Sequence, residues 1–223
     1  EWERYAMIKA RAVTGPENVK QELMGLLRPF VYRRYLDYGV FDSLREMKSM
    51  IASQLHLKGM EDNIKLGAGG IREIEFIGQV FQLIYGGRDE VLQQRPILTI
   101  LDLLAERQFL SLDAVAELTV AYDFLRRTEH RIQAWADKQT HLLPNDEKGQ
   151  LRVATLMGFA DWTAFTASIQ SYRQQVHGHF DSLLAESQTQ DALENAVSLF
   201  NDDNAKKRTD LQTLGFKKPQ VCV

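Results

Sequence analysis

The sequence predicts an all-α fold, a helical bundle. Apolar residues recur at helical spacing along most of the chain, and capping and stop signals flank these stretches. β-branched residues scarcely alternate over four or more positions, so strands are not expected. Of the 223 residues, 44% are hydrophobic and 26% are charged, values typical of a globular protein that is long enough to bury a core.

The first half of the chain carries two predicted helices. Trp2 to Val13 has apolar residues at helical spacing and is predicted to be one helix. Pro29 precedes a short aromatic segment over residues 30–35. Ser43 is the predicted N-cap of a second helix, which Gly59 closes.

The rest of the chain carries five predicted helices. One runs from about Gly70 to the glycine pair at residues 86–87, and Pro96 begins the next. A long helix opens near Asp113 and continues past Trp135. Two more are expected, near residues 149–157 and from 161 to 184. The apolar side of the helix after Pro96 consists of Ile97, Ile100, Leu101 and Leu104.

Composition suggests three segments. Residues 1–14 open in the middle of a helical pattern and are expected to be the last helix of an upstream domain. Residues 15–187 are the predicted bundle domain. Residues 188–223 are expected to be a linker and the start of a further helical segment, because the chain turns polar after Ala185. The chain is therefore expected to be a fragment of a larger protein.

Bulk properties limit the function classes. A net charge of −3 gives no reason to expect nucleic acid or an acidic membrane as a partner. No apolar run approaches the length of a membrane span, and no signal peptide is visible. Cys222 is the one cysteine, which excludes an internal disulfide framework and fits a cytoplasmic protein.

The motif K-L-G-A-G-G-I-R-E-I-E-F over residues 65–76 is the strongest candidate site. Glycines let backbone approach closely, and the first N–H groups of a helix have no internal partner, so the turn suits a phosphate or carboxylate. A glycine turn that merely starts a core helix explains the local pattern equally well. The predicted anion-binding residues are Lys65, Gly67, Gly69, Gly70 and Arg72.

Better-known nucleotide motifs and metal sites are not found. No Walker A loop is present, and Arg72 stands where a dinucleotide fingerprint needs its third glycine. His177 and His179 lack the spacing of a helical metal pair, and no D-x-D pair follows a glycine-serine turn. No metal ligands are therefore predicted within the chain.

Two polar stripes interrupt otherwise apolar helices. A buried helix with a polar stripe must turn it toward solvent, a partner network or a water-filled site. The second stripe fits a structural network or a solvated face better than a site, and His141 is expected to contact a helix end. The first stripe is Arg72, Glu75, Gln79 and Gln82, and the second contains the predicted pair Arg126–Glu129 followed by Gln133.

Three motifs together resemble the bifunctional glutamine synthetase adenylyltransferase/adenylyl-removing enzymes. They are residues 65–76, L-R-R-T-E-H-R-I-Q at 125–133 and D-K-Q-T-H-L-L-P at 137–144. Residues 1–11, 27–34 and 86–88 add support, so the resemblance covers nearly the whole chain. The glycine motif is shared in looser form with the related uridylyltransferase that modifies the PII signal protein.

The resemblance implies a position in the N-terminal, adenylyl-removing half. Each half of such an enzyme has a polymerase β-type nucleotidyltransferase domain followed by a helical domain. The first half removes AMP from a tyrosine of glutamine synthetase with orthophosphate, releasing ADP, and the second half attaches AMP from ATP. Mg²⁺ is bound mainly by the nucleotidyltransferase domain, which this chain lacks, so the chain alone is expected to be inactive. The implied partners are glutamine synthetase, the PII protein and the upstream domain in cis.

The resemblance also suggests roles for the glycine motif. Lys65 would contact a phosphate, the turn at 67–70 would allow close approach, and Arg72 would stabilise developing charge. Glu73 and Glu75 would orient Arg72 or hold a metal-bound water. The structural alternative is that the motif locks the bundle against its neighbour, with Arg72 and Glu75 in an interdomain salt bridge.

A non-catalytic interaction module is the alternative function. Such a module would present a helical surface to glutamine synthetase or to the PII protein. Tyr and Arg are enriched in interface hot spots, which favours the aromatic segment after Pro29 as that surface. Its predicted partner-binding residues are Arg28, Tyr32, Arg33 and Arg34, beside the aromatic rings of Phe30 and Tyr35.

Overall fold

The computed structural model describes residues 2–33 and 62–183, which fall in one compact unit. The predicted helix from Ser43 to Gly59 lies outside the described residues, as do Arg34, Tyr35 and everything after residue 183. The segment limits at residues 14 and 187 stay a prediction.

The all-α prediction is confirmed, since the described elements are helices. The α-helices are α1 (Trp2–Met7), α2 (Glu17–Val31), α3 (Ile71–Tyr85), α4 (Ile97–Glu106), α5 (Leu112–Ala136) and α6 (Glu147–Leu156). A 3₁₀ turn covers Glu90–Gln93, and a further helix, α7, runs over residues 162–183. None of the described helices combines the length and the apolar character that crossing a membrane requires.

Helix α3 lies at the centre of the bundle because it is apolar on most of its circumference. Eleven of its residues are buried, from Ile71 to Ile84. Helices α1, α4 and α5 pack against it. Its Phe76 ring meets Tyr5 of α1 at 5.5 Å and Phe180 of α7 at 5.4 Å, measured between ring centroids. Elements from both ends of the described chain therefore share one core with α3.

The first helix is shorter than predicted. It ends at Met7, not Val13, although Ile8 is also buried. The chain after it is bound to the loop that precedes α4, since Lys9 Nζ donates to the Arg95 carbonyl at 2.7 Å and Arg95 Nε donates to the Ala10 carbonyl at 3.0 Å. These long-range bonds replace the helical ones that the local pattern favours.

Helix α2 was not predicted, and it contains Pro29. A proline removes one N–H bond and crowds the preceding carbonyl, but Pro29 lies in the last turn, where little helix remains to be disturbed. The C-terminal end of α2 is held from outside: buried Arg4 donates from Nε and Nη2 to the Val31 carbonyl, at 3.2 and 3.0 Å. A tertiary contact thus stabilises a helix end that the sequence pattern leaves open.

The later helices agree with the prediction to within a few residues. Helix α3 begins after its N-cap Gly70 and ends before Gly86, and the apolar side predicted for α4 is buried. The long helix begins at Leu112, one residue before Asp113, because the Ser111 hydroxyl caps it by accepting from Ala114 N. Asp146 and Asp161 cap α6 and α7 in the same way.

A β-bridge joins the start of the glycine turn to the loop after α5. Asn63 pairs with Leu142 in antiparallel sense. Ile64 N donates to the His141 carbonyl at 2.9 Å, and Leu143 N donates to the Asp62 carbonyl at 3.3 Å. Two of the motifs that carry the family resemblance, at 65–76 and 137–144, are therefore neighbours in space.

Candidate anion-binding site

Most backbone amides of the glycine turn are used within the chain. Gly70, Ile71, Arg72 and Glu73 donate to carbonyl groups of the turn itself. Lys65 N and Leu66 N donate to the Asn63 side chain at 3.0 and 2.9 Å. An anion at this turn would therefore be bound mainly by side chains, and anion binding by the predicted residues stays a prediction.

The glycines of the turn are required by packing. Gly69 has a φ of +67°, and a Cβ at this position would lie 1.9 Å from the carbonyl oxygen of Arg173 in α7. A Cβ on Gly70 would meet three turn carbonyl oxygens at 2.7–2.8 Å. Arg173 Nε also donates to the Ala68 carbonyl at 2.8 Å, so α7 lies directly on the turn. These two glycines allow close approach, and the group that approaches is backbone of the same chain.

Glu73 closes the turn. Its carboxylate accepts from Gly69 N at 3.0 Å, as an acidic residue in the first turn of a helix commonly does. The same carboxylate lies 3.1 Å from His177 Nδ1, and the other ring nitrogen of His177 faces Asp181 at 3.3 Å. The described contacts of Glu73 are thus with the turn and with α7, and none is with Arg72.

Lys65 points toward the long helix α5. Its Nζ lies 3.6 Å from Glu129 Oε1, and His141 Nδ1 lies 2.8 Å from the same oxygen. The other carboxylate oxygen, Oε2, accepts from Arg126 Nη1, so the predicted pair Arg126–Glu129 is confirmed. The Glu129 side chain is 2% exposed, whereas those of Lys65 and Arg126 are 30% and 34% exposed. A buried carboxylate therefore joins three motifs, with cations toward the surface.

Arg72 lies beside the first helix. Its guanidinium carbon is 5.3 Å from the centre of the Tyr5 ring, a cation–π contact. Its Nε is buried and has no hydrogen-bond partner in the described structure. Burial raises the pKa of Tyr5 to about 12, with the nearby Arg72 acting against the rise and Glu75 adding to it. Arg72 is thus packed on an aromatic ring and keeps an unused donor.

Glu75 lies near ionisable side chains from two other parts of the chain, Lys9 and Tyr122. Burial lowers the pKa of Lys9, and the Glu75 carboxylate opposes that shift. Burial raises the pKa of Tyr122 on α5, and Glu75 adds to the rise, with Arg126 opposing it. The charged part of the α3 stripe therefore lies near the polar residues of α5, where these two helices pack against each other. We call this polar interface the α3–α5 track, and its charged members are Lys9, Lys65, Arg72, Glu75, Arg126 and Glu129.

The glutamines of the stripes have structural surroundings. Gln82 is buried, and its Nε2 donates to the carbonyl oxygens of Leu92 and Gln94 at 2.7 Å each. Gln79 is buried with its side-chain oxygen unpartnered. Gln133 lies 3.4 Å from His141 Nδ1 and donates to the Thr140 carbonyl at 3.3 Å. Gln82 and Gln133 therefore hold loops in place.

The predicted partner-binding residues lie at the end of α2. Arg28, Phe30 and Arg33 are exposed, and Tyr32 is half-buried against Gly86, with its pKa raised by burial. The same helix exposes an apolar stripe at helical spacing, made of Val19, Leu23, Leu26 and Phe30. The exposed surface at the end of α2 therefore continues along an apolar face of the helix. This face was not predicted, because α2 was not recognised as a helix.

Among residues 2–33 and 62–183, no three His, Cys, Asp or Glu side chains are placed to hold a metal ion.

The central role of Glu129 and its contact with His141 were not predicted from the sequence. His141 contacts Gln133 in the last turn of α5, in line with the expected helix-end contact, and it also lies 2.8 Å from the buried Glu129 carboxylate. The signal for Glu129 was present in part, because a glutamate on an otherwise apolar face needs a cationic partner once it is buried. Its local partner Arg126 is found by spacing, whereas Lys65 and His141 lie on segments that the spacing cannot connect.

The family model described as GlnD PII-uridylyltransferase matches residues 45–184. The chain belongs to this family. The match covers the glycine turn and helices α3 to α7, so every charged member of the α3–α5 track except Lys9 lies within the matched residues.

Curated relatives are similar over most of the chain. An enzyme of Nitrosococcus oceani is 56% identical over 83% of this chain, and one of Pseudomonas putida is 48% identical over 98% of it. A Pseudomonas aeruginosa enzyme is 53% identical over 83%. Each is named bifunctional glutamine synthetase adenylyltransferase/adenylyl-removing enzyme. The chain spans 19–23% of the length of these relatives.

Proposed function

We propose that this chain is the helical part of an enzyme that controls glutamine synthetase by reversible adenylylation, and that it supports the adenylyl-removing half. The observation that carries the proposal is the 48–56% identity, over 83–98% of the chain, to relatives named for both activities. The sequence motifs support the adenylyl-removing half. A cytoplasmic location is part of the proposal, since a chain with one cysteine cannot form an internal disulfide and such chains fit a reducing compartment.

The proposed reaction is phosphorolysis. An oxygen of orthophosphate forms a bond to the phosphorus of the AMP group, the bond from that phosphorus to the tyrosine oxygen breaks, and ADP and a tyrosine hydroxyl result. Negative charge accumulates around the transferring group, so catalysis of this kind depends on positioning and on cationic side chains. The nucleotides ATP and ADP, orthophosphate and Mg²⁺ belong to the proposal for the whole enzyme, with the metal assigned to the upstream nucleotidyltransferase domain.

Lys65 and Arg72 are the residues through which the described part would contribute. Lys65 is part-exposed and held beside a buried carboxylate, so its charge is fixed at the surface of the track. Arg72 stacks on Tyr5 with an unused Nε donor. Glu75 is close enough to influence the same ring and is the candidate for orienting Arg72. Glu73 is given the structural role of closing the glycine turn.

The test of the proposed function is Lys65→Ala in the full-length enzyme, measured as ADP release from adenylylated glutamine synthetase. Loss of one positive contact to the transferring phosphoryl group is expected to lower the rate by roughly 10²–10³-fold. Lys20→Ala is a matched control, because the Lys20 side chain is 31% exposed and also pairs with a glutamate, Glu17, at 3.5 Å. Unchanged phosphorolysis in Lys65→Ala contradicts the role given to this residue.

A second candidate function is docking of a partner protein on α2. The observation that favours it is the exposed apolar stripe that ends beside Arg28 and Arg33. Leu26→Asp is expected to weaken binding to glutamine synthetase or to the PII protein and to leave turnover on saturating substrate intact. Leu112→Asp is the control, since Leu112 is a similarly exposed leucine on a different helix. Equal affinities for the two variants would remove α2 from the interface.

A further inference from the structure

The buried carboxylate of Glu129 has more cationic partners than a simple ion pair needs. Three side chains approach its two oxygens: Lys65, Arg126 and His141. A buried carboxylate must be compensated, and Arg126 at one oxygen with His141 at the other already places a polar partner at each. Lys65 is therefore an additional cation at a position where the carboxylate is already satisfied.

Lys65 and Arg126 leave most of their donors unused. The Lys65 Nζ is 3.6 Å from Glu129, beyond hydrogen-bonding distance, so within the described structure none of its three N–H groups has an acceptor. Arg126 uses Nη1 toward Glu129, and its other N–H groups have no acceptor there. Both side chains are about one-third exposed, so their open donors are accessible from solvent. Two part-exposed cations on one buried carboxylate thus keep open N–H donors.

Other charged side chains of the α3–α5 track add to the positive charge around Glu129. The α3–α5 track contains four cationic side chains and two carboxylates, a net of two positive charges before His141 is counted. The second carboxylate, Glu75, makes no ion pair with Lys65 or Arg126 among the described contacts. Its charge instead acts to raise the pKa values of Tyr5, Lys9 and Tyr122. A region with a positive excess and open N–H donors suits an anion that carries several acceptor oxygens.

We infer that Lys65 and Arg126 together form a site for a phosphoryl group, and that Glu129 is the positioning residue that holds both cations in place. The inference rests on the proposed function for the identity of the anion and adds Arg126 and Glu129 to the residues that serve it. Orthophosphate and the phosphates of ADP share the chemistry that the site recognises. The two sources are separated by titrating each alone.

The test uses the 223-residue chain and dissociation constants for orthophosphate and for ADP, from phosphorus-detected NMR titrations at one low ionic strength. Lys65→Met and Arg126→Met are each expected to weaken binding by roughly tenfold to a hundredfold, the value of one hydrogen bond to a charged group. Weakening toward both ligands assigns the site to any phosphoryl group, and weakening toward ADP alone assigns it to the nucleotide. Circular dichroism checks that each variant is folded.

Two control variants match the changes in charge. Arg127 is next to Arg126, is 57% exposed and pairs with Asp123 at 3.7 Å, so Arg127→Met removes the same charge from another face of α5. Lys20→Met does the same for Lys65. Absence of saturable binding of either ligand to the unaltered chain, or equal weakening by the controls, overturns the site.

Glu129→Gln separates positioning from neutralisation. A carboxylate that only neutralised the two cations would oppose anion binding, so its removal would tighten binding. A positioning carboxylate gives the opposite result, because released cations no longer point to one place. Weaker phosphate binding in folded Glu129→Gln supports the inference, and tighter binding contradicts the positioning role. Because these experiments need no turnover, a normal binding result with an inactive full-length enzyme would reject the proposed function alone.

Discussion

Gly69→Ala should destabilise this protein more than a glycine substitution at another left-handed position. A residue with a Cβ at positive φ costs about 1–2 kcal/mol. At Gly69 the new Cβ would also lie 1.9 Å from the Arg173 carbonyl oxygen, so the turn or α7 must move. Forcing additional atoms into a packed region typically costs about 1–3 kcal/mol, which brings the expected loss to roughly 2–5 kcal/mol.

Gly158 provides the matched control for this prediction. It has a φ of +83°, and a Cβ there would meet nothing within 4 Å. Gly158→Ala therefore carries the conformational cost of about 1–2 kcal/mol without the collision. The difference between the two variants, about 1–3 kcal/mol, isolates the contact between the turn and α7.

The assay is urea unfolding followed by far-UV circular dichroism, which gives the free energy of unfolding for each variant. Gly178→Ala completes the series, since Gly178 lies in α7 with open space around it and alanine should stabilise the helix by up to about 1 kcal/mol. In thermal unfolding each kcal/mol should shift the Tm by about 2–4 °C. Equal free energies of unfolding for Gly69→Ala and Gly158→Ala would refute the packing of α7 on the turn.

Three further predictions concern polar side chains and their partners. Gln82→Leu leaves two loop carbonyl oxygens without their donor, at a cost of about 1–3 kcal/mol each, measured by urea unfolding. Because burial raises the pKa of Tyr5 to about 12, the phenol ionises at lower pH in the unfolded chain than in the folded one, and stability is lost as pH rises from about 10 to about 12. In unfolding experiments at increasing pH, Tyr5→Phe should lose less stability over this range. A hydrogen bond from Arg107 holds the pKa of Asp89 below its ordinary value of about 3.9. The stability that this carboxylate contributes is therefore present above about pH 3.9 and is lost as pH falls below it. In unfolding experiments at decreasing pH, Asp89→Asn should lose less stability below about pH 3.9 than the unaltered protein.

Local signals were sufficient for the later helices. Helix α3 has glycines at both ends and apolar residues on most faces, so its limits and its burial follow from the sequence alone. The pair Arg126–Glu129 follows from i, i+3 spacing on α5. In these cases the interaction partners lie within a few residues of each other, which is the range that periodicity and capping rules describe.

Contacts between distant segments account for the failures. Helix α1 ends early because Lys9 and Ala10 bond to Arg95, and the C-terminal end of α2 is fixed by Arg4. The glycine turn suggested free amides for an anion, but those amides bond within the turn, and Gly69 serves the approach of α7. No local rule places these partners next to each other, since each contact depends on how the whole bundle is packed.

The shared active site is tested by measuring ADP release from adenylylated glutamine synthetase in the presence of orthophosphate and Mg²⁺. The assay compares this chain alone with the same chain joined to the upstream nucleotidyltransferase domain. The account predicts no ADP from the chain alone and ADP release from the joined protein, with Lys65→Ala lowering the rate. ADP release by the chain alone would contradict the shared site, and an active joined protein that is insensitive to Lys65→Ala would contradict the part assigned to the α3–α5 track.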